Sequence, residues 1–300
     1  MTATAPALLD ALEAEAIHIL RETTAQSRAP VMLHSLGKDS AVMLRLAEKS
    51  FAPGALPFPL LHVDTTWKFA AMYAERDKLA ARHRLTVHRN AEADAAGINP
   101  FDHGAQHTDL WKTEGLKQAL LSGGYDLAFA GARRDEDPAR AKERIVSVRD
   151  AAGRWEPRRQ RPELWALYNA RVAAGEGARV FPLSNWSERD VWSYVARERI
   201  ELVPLYFAAE RAVVRRGGGW MLVDDARCRL SPEDRIERRR VRFRTLGCYP
   251  LTLGQESDAS SVADILDELA VTRAGERGGR LIDRDGGGDS LEARKRAGYF

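Results

Sequence analysis

The sequence predicts an α/β protein, a parallel sheet of short strands with helices on both faces. Two patterns predict it. Short, continuously apolar runs alternate with longer segments of helical periodicity, as in strands buried on both faces. The polar residues also gather just after those runs, where open α/β sheets bind their ligands.

The elements follow in order. Residues 8–26 place Leu8, Leu12, Ala16, Ile19 and Leu20 on one helical face. Residues 31–35 form a buried strand, and residues 39–50 a helix. Pro53, Gly54, Pro57 and Pro59 punctuate the link to a second strand, Leu60-Leu61-His62-Val63-Asp64. Residues 67–83 are helical, with Phe69, Tyr73 and Leu79 inward, and Thr86-Val87-His88 is a third strand. Gly97 to Phe101 breaks structure, and residues 108–121 resume a helix. Asp126 to Ala130 is a fourth strand and Val180-Phe181-Pro182-Leu183 a fifth. Ser187 and Asp190 have capping-box spacing and start a helix through about Glu198. From residue 201 the alternation stops, which predicts a largely helical and irregular C-terminal extension. The division is 1–28 for an N-terminal helix, 29–200 for the nucleotide-binding core and 201–300 for the extension.

The totals narrow the class. In 300 residues, 46 basic side chains face 43 acidic ones, a net charge of +3. That gives no broad electrostatic footprint for nucleic acid. The arginines are instead local, at 133–149, 154–161 and 235–244. Two cysteines, Cys228 and Cys248, are too few for a disulfide scaffold and lack zinc-site spacing. No apolar run approaches a membrane span and no secretory leader is read at the start, so a cytosolic setting is expected.

The first strand runs into Ser35-Leu36-Gly37-Lys38-Asp39-Ser40 and then a helix. Orphan amides and the helix dipole favour an anion there, and Lys38 adds a positive charge. The turn lacks the G-x-x-x-x-G-K-[ST] spacing and the G-x-G-x-x-G fingerprint. An ordinary polar helix cap is the competing explanation. Asp64 closes the second strand as a metal ligand, a nucleotide contact or a structural ion pair. Gly131-Ala132-Arg133-Arg134 follows the fourth strand, where rigid guanidinium forks suit an oxyanion. The same residues also fit a solvated charge run. Arg242 and Arg244 flank Phe243 in a strand-like alternation that points both to one side. Asp102, His103, His107 and Asp109 fit no standard metal motif.

The loop Ser35 to Ser40 resembles the pyrophosphate-binding loop, S-x-G-K-D-S, of the ATP pyrophosphatase superfamily. Further segments resemble, more narrowly, the small catalytic subunits of bacterial sulfate adenylyltransferases. They include His62-Val63-Asp64-Thr65, Lys112-Thr113-Glu114-Gly115-Leu116-Lys117, Gly131 to Glu136, Arg140 to Arg144 and Gln160 to Trp165. Val180 to Trp186, Val203 to Tyr206, Val241 to Cys248, Gly279 to Asp285 and Lys295 to Phe300 continue the likeness over nearly the whole chain. The resemblance implies an adenine nucleotide alpha hydrolase-like, Rossmann-like fold. It implies MgATP and sulfate as substrates, and adenosine 5′-phosphosulfate and pyrophosphate as products. It also implies a separate large GTPase subunit, sometimes fused to an adenylylsulfate kinase, which supplies GTP hydrolysis.

The implied roles are these. Ser35, Leu36, Gly37, Lys38, Asp39 and Ser40 hold phosphates. Val63, Asp64 and Thr65 hold adenine or ribose, and Gly131 completes the nucleotide site. Asp39 or Asp64 orients magnesium. Lys38 is also a catalytic candidate, and Arg133, Arg134 and Arg144 serve the α-phosphate and sulfate, with Arg242 and Arg244 as second candidates. The departures are His34 and Leu36, where Tyr and Ile are expected, and Thr66, where Gly is expected. The related phosphoadenylyl sulfate reductases need a redox cysteine near the C-terminus, and none follows Cys248. A non-catalytic scaffold for the GTPase is the non-enzyme alternative.

Overall fold

Residues 3–271 and Glu276 are described in a computed structural model of the chain. Helix α1 (Pro6–Gln26) leads into β1 (Pro30–Leu33), α2 (Lys38–Phe51), β2 (Leu60–Asp64), α3 (Ala70–Arg82) and β3 (Leu85–Arg89). Next come α4 (Ala91–Ala95), α5 (Pro100–Thr108), a π-helical stretch (Asp109–Glu114) and α6 (Gly115–Ser122). Then follow β4 (Leu127–Phe129), α7 (Pro138–Ala141), β5 (Val146–Arg149), β6 (Gly177–Val180) and α8 (Glu188–Glu198).

Six strands form one sheet in the order β3-β2-β1-β4-β6-β5. All pairings are parallel except β5 with β6. Strands β2 and β4 flank β1 on opposite sides, in register at Met32↔Leu60 and Val31↔Ala128. The strand order therefore reverses beside β1, which opens a crevice at its carboxyl end.

Local chemistry explains the boundaries. Ser187 Oγ accepts the Asp190 amide at 3.2 Å and Asp190 accepts the Ser187 amide at 2.8 Å, the reciprocal cap its spacing predicts. Strand β6 ends at Val180, three residues before the expected Leu183, because Pro182 has no N–H to give a ladder. The inner face of α1 uses Leu9, while Leu8 is 51% exposed. Edge strand β5 has no counterpart in the sequence expectation, and the helix expected over 108–121 is wound as π over Asp109–Glu114 before α6.

The C-terminal part contains irregular segments and helix α9 (Val262–Val271). It also carries an antiparallel sheet that the loss of alternation concealed. Its strands are β7 (Ala209–Arg216), β8 (Gly219–Leu222), β9 (Glu237–Arg242) and β10 (Gln255–Glu256), in the order β10-β9-β7-β8. One hydrophobic cluster runs from Leu9 in α1 through Val42, Trp192 and Tyr206 to Val213, Phe243 and Ile265. Burial on that scale fixes the second sheet against the first. The segments Gly279–Asp285 and Lys295–Phe300 lie outside the described residues. No helix among the described residues is long and apolar enough to cross a membrane.

Candidate active site

A cleft opens at the carboxyl ends of β1, β2 and β4. Its walls include His34, Ser35, Gly37 to Ser40, Val63, Lys68, Lys112, Gly131, Glu136, Arg140, Tyr206, Gly247 and Glu276. Its lining, apolar side chains with a few convergent charged groups, suits a nucleotide.

The loop after β1 is built by backbone constraints. Leu36 is buried in the left-handed conformation, with φ 63°. A non-glycine residue holds that shape only where its surroundings impose it. The Leu36 amide donates to His34 Nδ1 at 3.3 Å, and the Gly37 amide donates to Ser40 Oγ at 3.1 Å. Gly37 has room for no more, since a Cβ would stand 3.3 Å from both Ser35 Oγ and the Tyr206 hydroxyl. Gly131 serves the facing loop, where a Cβ would stand 3.2 Å from Asp39 Cβ and 3.3 Å from its backbone carbon. The ends of β1 and β4 approach this closely only through glycine. Thr66, at φ 56°, occupies the position where the family resemblance expects glycine.

Two cations meet two carboxylates at the start of α2. Lys38 Nζ lies 3.3 Å from Asp39 Oδ2 and contacts Glu276 Oε1. Arg133 Nε lies 2.8 Å from Asp39 Oδ1, and Arg133 Nη2 contacts Glu276 Oε2. Lys38 and Arg133 are each 1% exposed. Burial disfavours the Lys38 ammonium, but Asp39 and Glu276 outweigh it and raise its pKa. Arg133 is likewise held charged. Burial raises the Glu276 carboxyl, yet Lys38 and Arg133 bring it down to about 2. Lys38, Arg133 and Glu276 are therefore held in their charged forms.

The histidines nearby stay neutral. Burial brings His34 down to about 3 and His62 to about 4. The His62 ring donates from Nδ1 to the His34 carbonyl at 2.8 Å. His107 is fully buried, is brought to about 3 by burial, and is absent from the cleft wall. Among the described residues no group of three or more His, Cys, Asp or Glu side chains is arranged to hold a metal ion.

Ser35, Gly37, Lys38, Asp39, Ser40, Val63 and Gly131 line the cleft, while Arg133 stands directly behind Asp39 and Glu276. The remaining expectations are corrected. Asp64 is turned aside: Oδ1 accepts from the Thr66 amide at 2.8 Å, and Oδ2 pairs with Arg76 at 3.2 Å. Thr65 is fully buried against Cys248 Sγ at 3.2 Å. Leu36 shapes the loop without lining the cleft. The Lys38 amide, expected to face a phosphate, donates to the Tyr206 hydroxyl at 2.9 Å.

Arg134 reaches Asn185 instead, and Arg144 is exposed. Arg242 pairs with Glu268 and Arg244 with Glu188, each at 2.6 Å, tying the extension to α9 and α8. Strand β9 ends at Arg242, so the expected strand alternation does not extend to Arg244, and it did not identify the partner of either arginine. Conversely, Lys68, Arg140, Tyr206 and Glu276 line the site from elements far apart in sequence. Lys112 does so as well, and its segment figured only in the family resemblance.

The model of the phosphoadenosine phosphosulfate reductase domain matches residues 29–254. A protein of Myxococcus xanthus, strain DK1622, described as sulfate adenylyltransferase subunit 2, is 62% identical over 295 residues, covering 97% of this chain and 96% of the relative. The chain belongs to the sulfate adenylyltransferase subunit 2 family. A family member from Nocardia farcinica is 60% identical, with the same coverage. Among solved structures, Candida glabrata FMN adenylyltransferase in complex with FMN and AMPCPP aligns with a TM-score of 0.52 and 15% identity. That alignment covers 97% of this chain and 90% of the other, and it shows likeness of fold alone. The subunit 2 family thus includes a chain with its loop, its glycines and its paired cations at one crevice.

Proposed function

We propose that this chain transfers the adenylyl group of ATP to sulfate, giving adenosine 5′-phosphosulfate and pyrophosphate. Near full-length identity of 62% to a sulfate adenylyltransferase subunit 2 carries this reading. The cleft supports it with a cationic loop at the strand reversal.

A sulfate oxygen attacks the α-phosphorus, that P–O bond forms, and the bond to pyrophosphate breaks. Sulfate brings its own negative charge, so no base has to remove a proton. Catalysis then rests on positioning and on stabilising charge as pyrophosphate leaves. Lys38, Ser35, Gly37 and Ser40 hold the leaving phosphates, and Gly131 keeps the facing loop close enough to share them. Val63 borders the nucleoside. Arg133 adds positive charge behind the phosphates. Lys68, Lys112 and Arg140 also line the wall and are assigned to the α-phosphate and sulfate.

Magnesium enters with ATP, and Asp39, which lines the cleft together with Glu136 and Glu276, is the candidate carboxylate for it. One protein carboxylate plus substrate phosphates suits this ion. The ion would neutralise phosphate charge there.

The reading includes a large GTPase subunit as partner. The exposed apolar run Leu164, Trp165 and Leu167, with Trp165 87% accessible, supports a surface for another protein. The core at 29–200 carries the nucleotide loop, and the extension from 201 lends Tyr206 and Glu276. The test is sulfate-dependent release of pyrophosphate from ATP, with and without the GTPase subunit and GTP. Turnover of ATP that ignores sulfate refutes the proposal.

A further inference from the structure

We propose that Glu276 occupies the oxyanion seat of this site and yields it to a substrate oxyanion, acting as an internal competitor that positions Lys38 and Arg133 until substrate arrives. This rests on the reading of the cleft as a site for phosphate and sulfate.

The geometry is specific. One Glu276 oxygen meets Lys38 Nζ and the other meets Arg133 Nη2. Glu276 lines the cleft, whereas Arg133, which it touches, does not. The carboxylate thus lies between the arginine and the space where a ligand sits. It is 8% exposed, so water does not screen the contacts. Two oxygens spanning a lysine and an arginine reproduce part of a tetrahedral oxyanion.

A phosphate or sulfate cannot share those donors with a buried carboxylate. Like charges at contact distance in a dry site repel strongly. Asp39 does not stand in the way to the same degree, since its side chain is 25% exposed and anchored at the head of α2. When Glu276 leaves, Lys38 and Arg133 keep Asp39, and Arg133 keeps the half-exposed Asp135 at 3.4 Å, so the buried seat loses one negative charge and its two cations turn to the incoming oxyanion. The carboxylate keeps both cations ionised and aimed before binding. It also lowers apparent anion affinity, because substrate binds only the fraction of molecules whose seat is open.

The test uses the full chain as wild type, Glu276→Gln and Glu276→Asp. MgATP and sodium sulfate are titrated separately by calorimetry, and kcat and KM follow by pyrophosphate release. Removing the competing charge tightens the displacing anion about tenfold or more, since one pKa unit of interaction is a factor of ten. Tightening in the MgATP arm assigns the seat to a nucleotide phosphate, and tightening in the sulfate arm assigns it to the acceptor. KM for that substrate falls, while kcat stays level or drops. Glu276→Asp, one methylene shorter, spans the two cations poorly and gives a smaller tightening. Unchanged or weaker binding of both anions by a folded variant overturns the proposal. If Glu276→Gln loses its near-ultraviolet circular dichroism, Glu276→Asp carries the same test. Failure of the adenylyltransferase reading is separate, because wild type then releases no sulfate-dependent pyrophosphate while the anion titrations still report on the seat.

Discussion

Replacing Lys38 with methionine tests the charge cluster most directly. Methionine keeps most of the volume and removes the ammonium, so the change is electrostatic more than a cavity. In the native site Lys38 contacts Asp39 and Glu276, and it is 1% exposed. Breaking a buried pair from one side costs about 3–5 kcal/mol, because the partner's charge remains. Here Arg133 still holds both carboxylates, so the lower figure, about 3 kcal/mol, is expected near pH 7.

The sign with pH follows from Glu276. Its folded value of about 2 lies below the ordinary glutamate value of 4.5. That shift corresponds to roughly 3 kcal/mol of stability. This contribution is present above about pH 5 and is lost as pH falls toward 2. Without Lys38 the folded carboxyl titrates higher, so the deficit of Lys38→Met shrinks on acidification through that window. Urea unfolding between pH 7 and the acid limit measures both quantities. Turnover, followed by pyrophosphate release, falls about 10²–10³-fold, the usual effect of removing one preorganised group at a developing anion. Equal unfolding midpoints for variant and wild type at pH 7, or a deficit independent of pH, would refute the cluster. Normal turnover would refute the role of Lys38.

Other substitutions separate the site from its surroundings. Gly131→Ala drives a Cβ to 3.2 Å from Asp39, which moves the facing loops apart by a few tenths of an ångström. It lowers kcat about tenfold and stability by about 1–3 kcal/mol, read by steady-state kinetics and thermal unfolding. Tyr206→Phe strips the Lys38 amide of its acceptor. It costs about 1–3 kcal/mol and raises KM for ATP, read by urea unfolding and steady-state kinetics, and wild-type values in both refute the role of the hydroxyl. Arg134→Ala and Arg144→Ala leave kcat and KM within about twofold, since surface changes away from buried features are mild. A large loss in either would return that arginine to the site. Arg242→Met breaks the pair between the buried Arg242 and the partly exposed Glu268. It destabilises by about 2–3 kcal/mol, below the cost of a fully buried pair, and the folded fraction turns over normally in an assay normalised by active-site titration.

Much of this protein was legible in one dimension because the signals are local. Periodicity marked the helices and strands of the parallel sheet, since a strand buried on both faces must be apolar throughout. The capping pair Ser187 and Asp190 was readable because both partners lie within one helical turn. The loop from Ser35 to Ser40 was readable for the same reason: a glycine, a lysine and two serines sit on one strand-to-helix turn. Its resemblance to a known family could be judged from sequence alone.

Which charged side chains share the cleft was decided only by the tertiary structure. Arg134 is the neighbour of Arg133 in sequence, yet Arg133 turns to Asp39 and Glu276 while Arg134 turns to Asn185. Asp64 ends a strand beside the site and is claimed by Arg76 instead. Glu276 reaches Lys38 across 238 positions of chain, a separation that no local pattern encodes. The antiparallel sheet after residue 201 escaped notice because its exposed arginines obscure the alternation of β9. Local sequence determined the backbone that makes an anion site possible. The long-range packing of α2, β4 and the C-terminal extension determined which charges meet there, because a buried charge persists only where the fold brings it a partner.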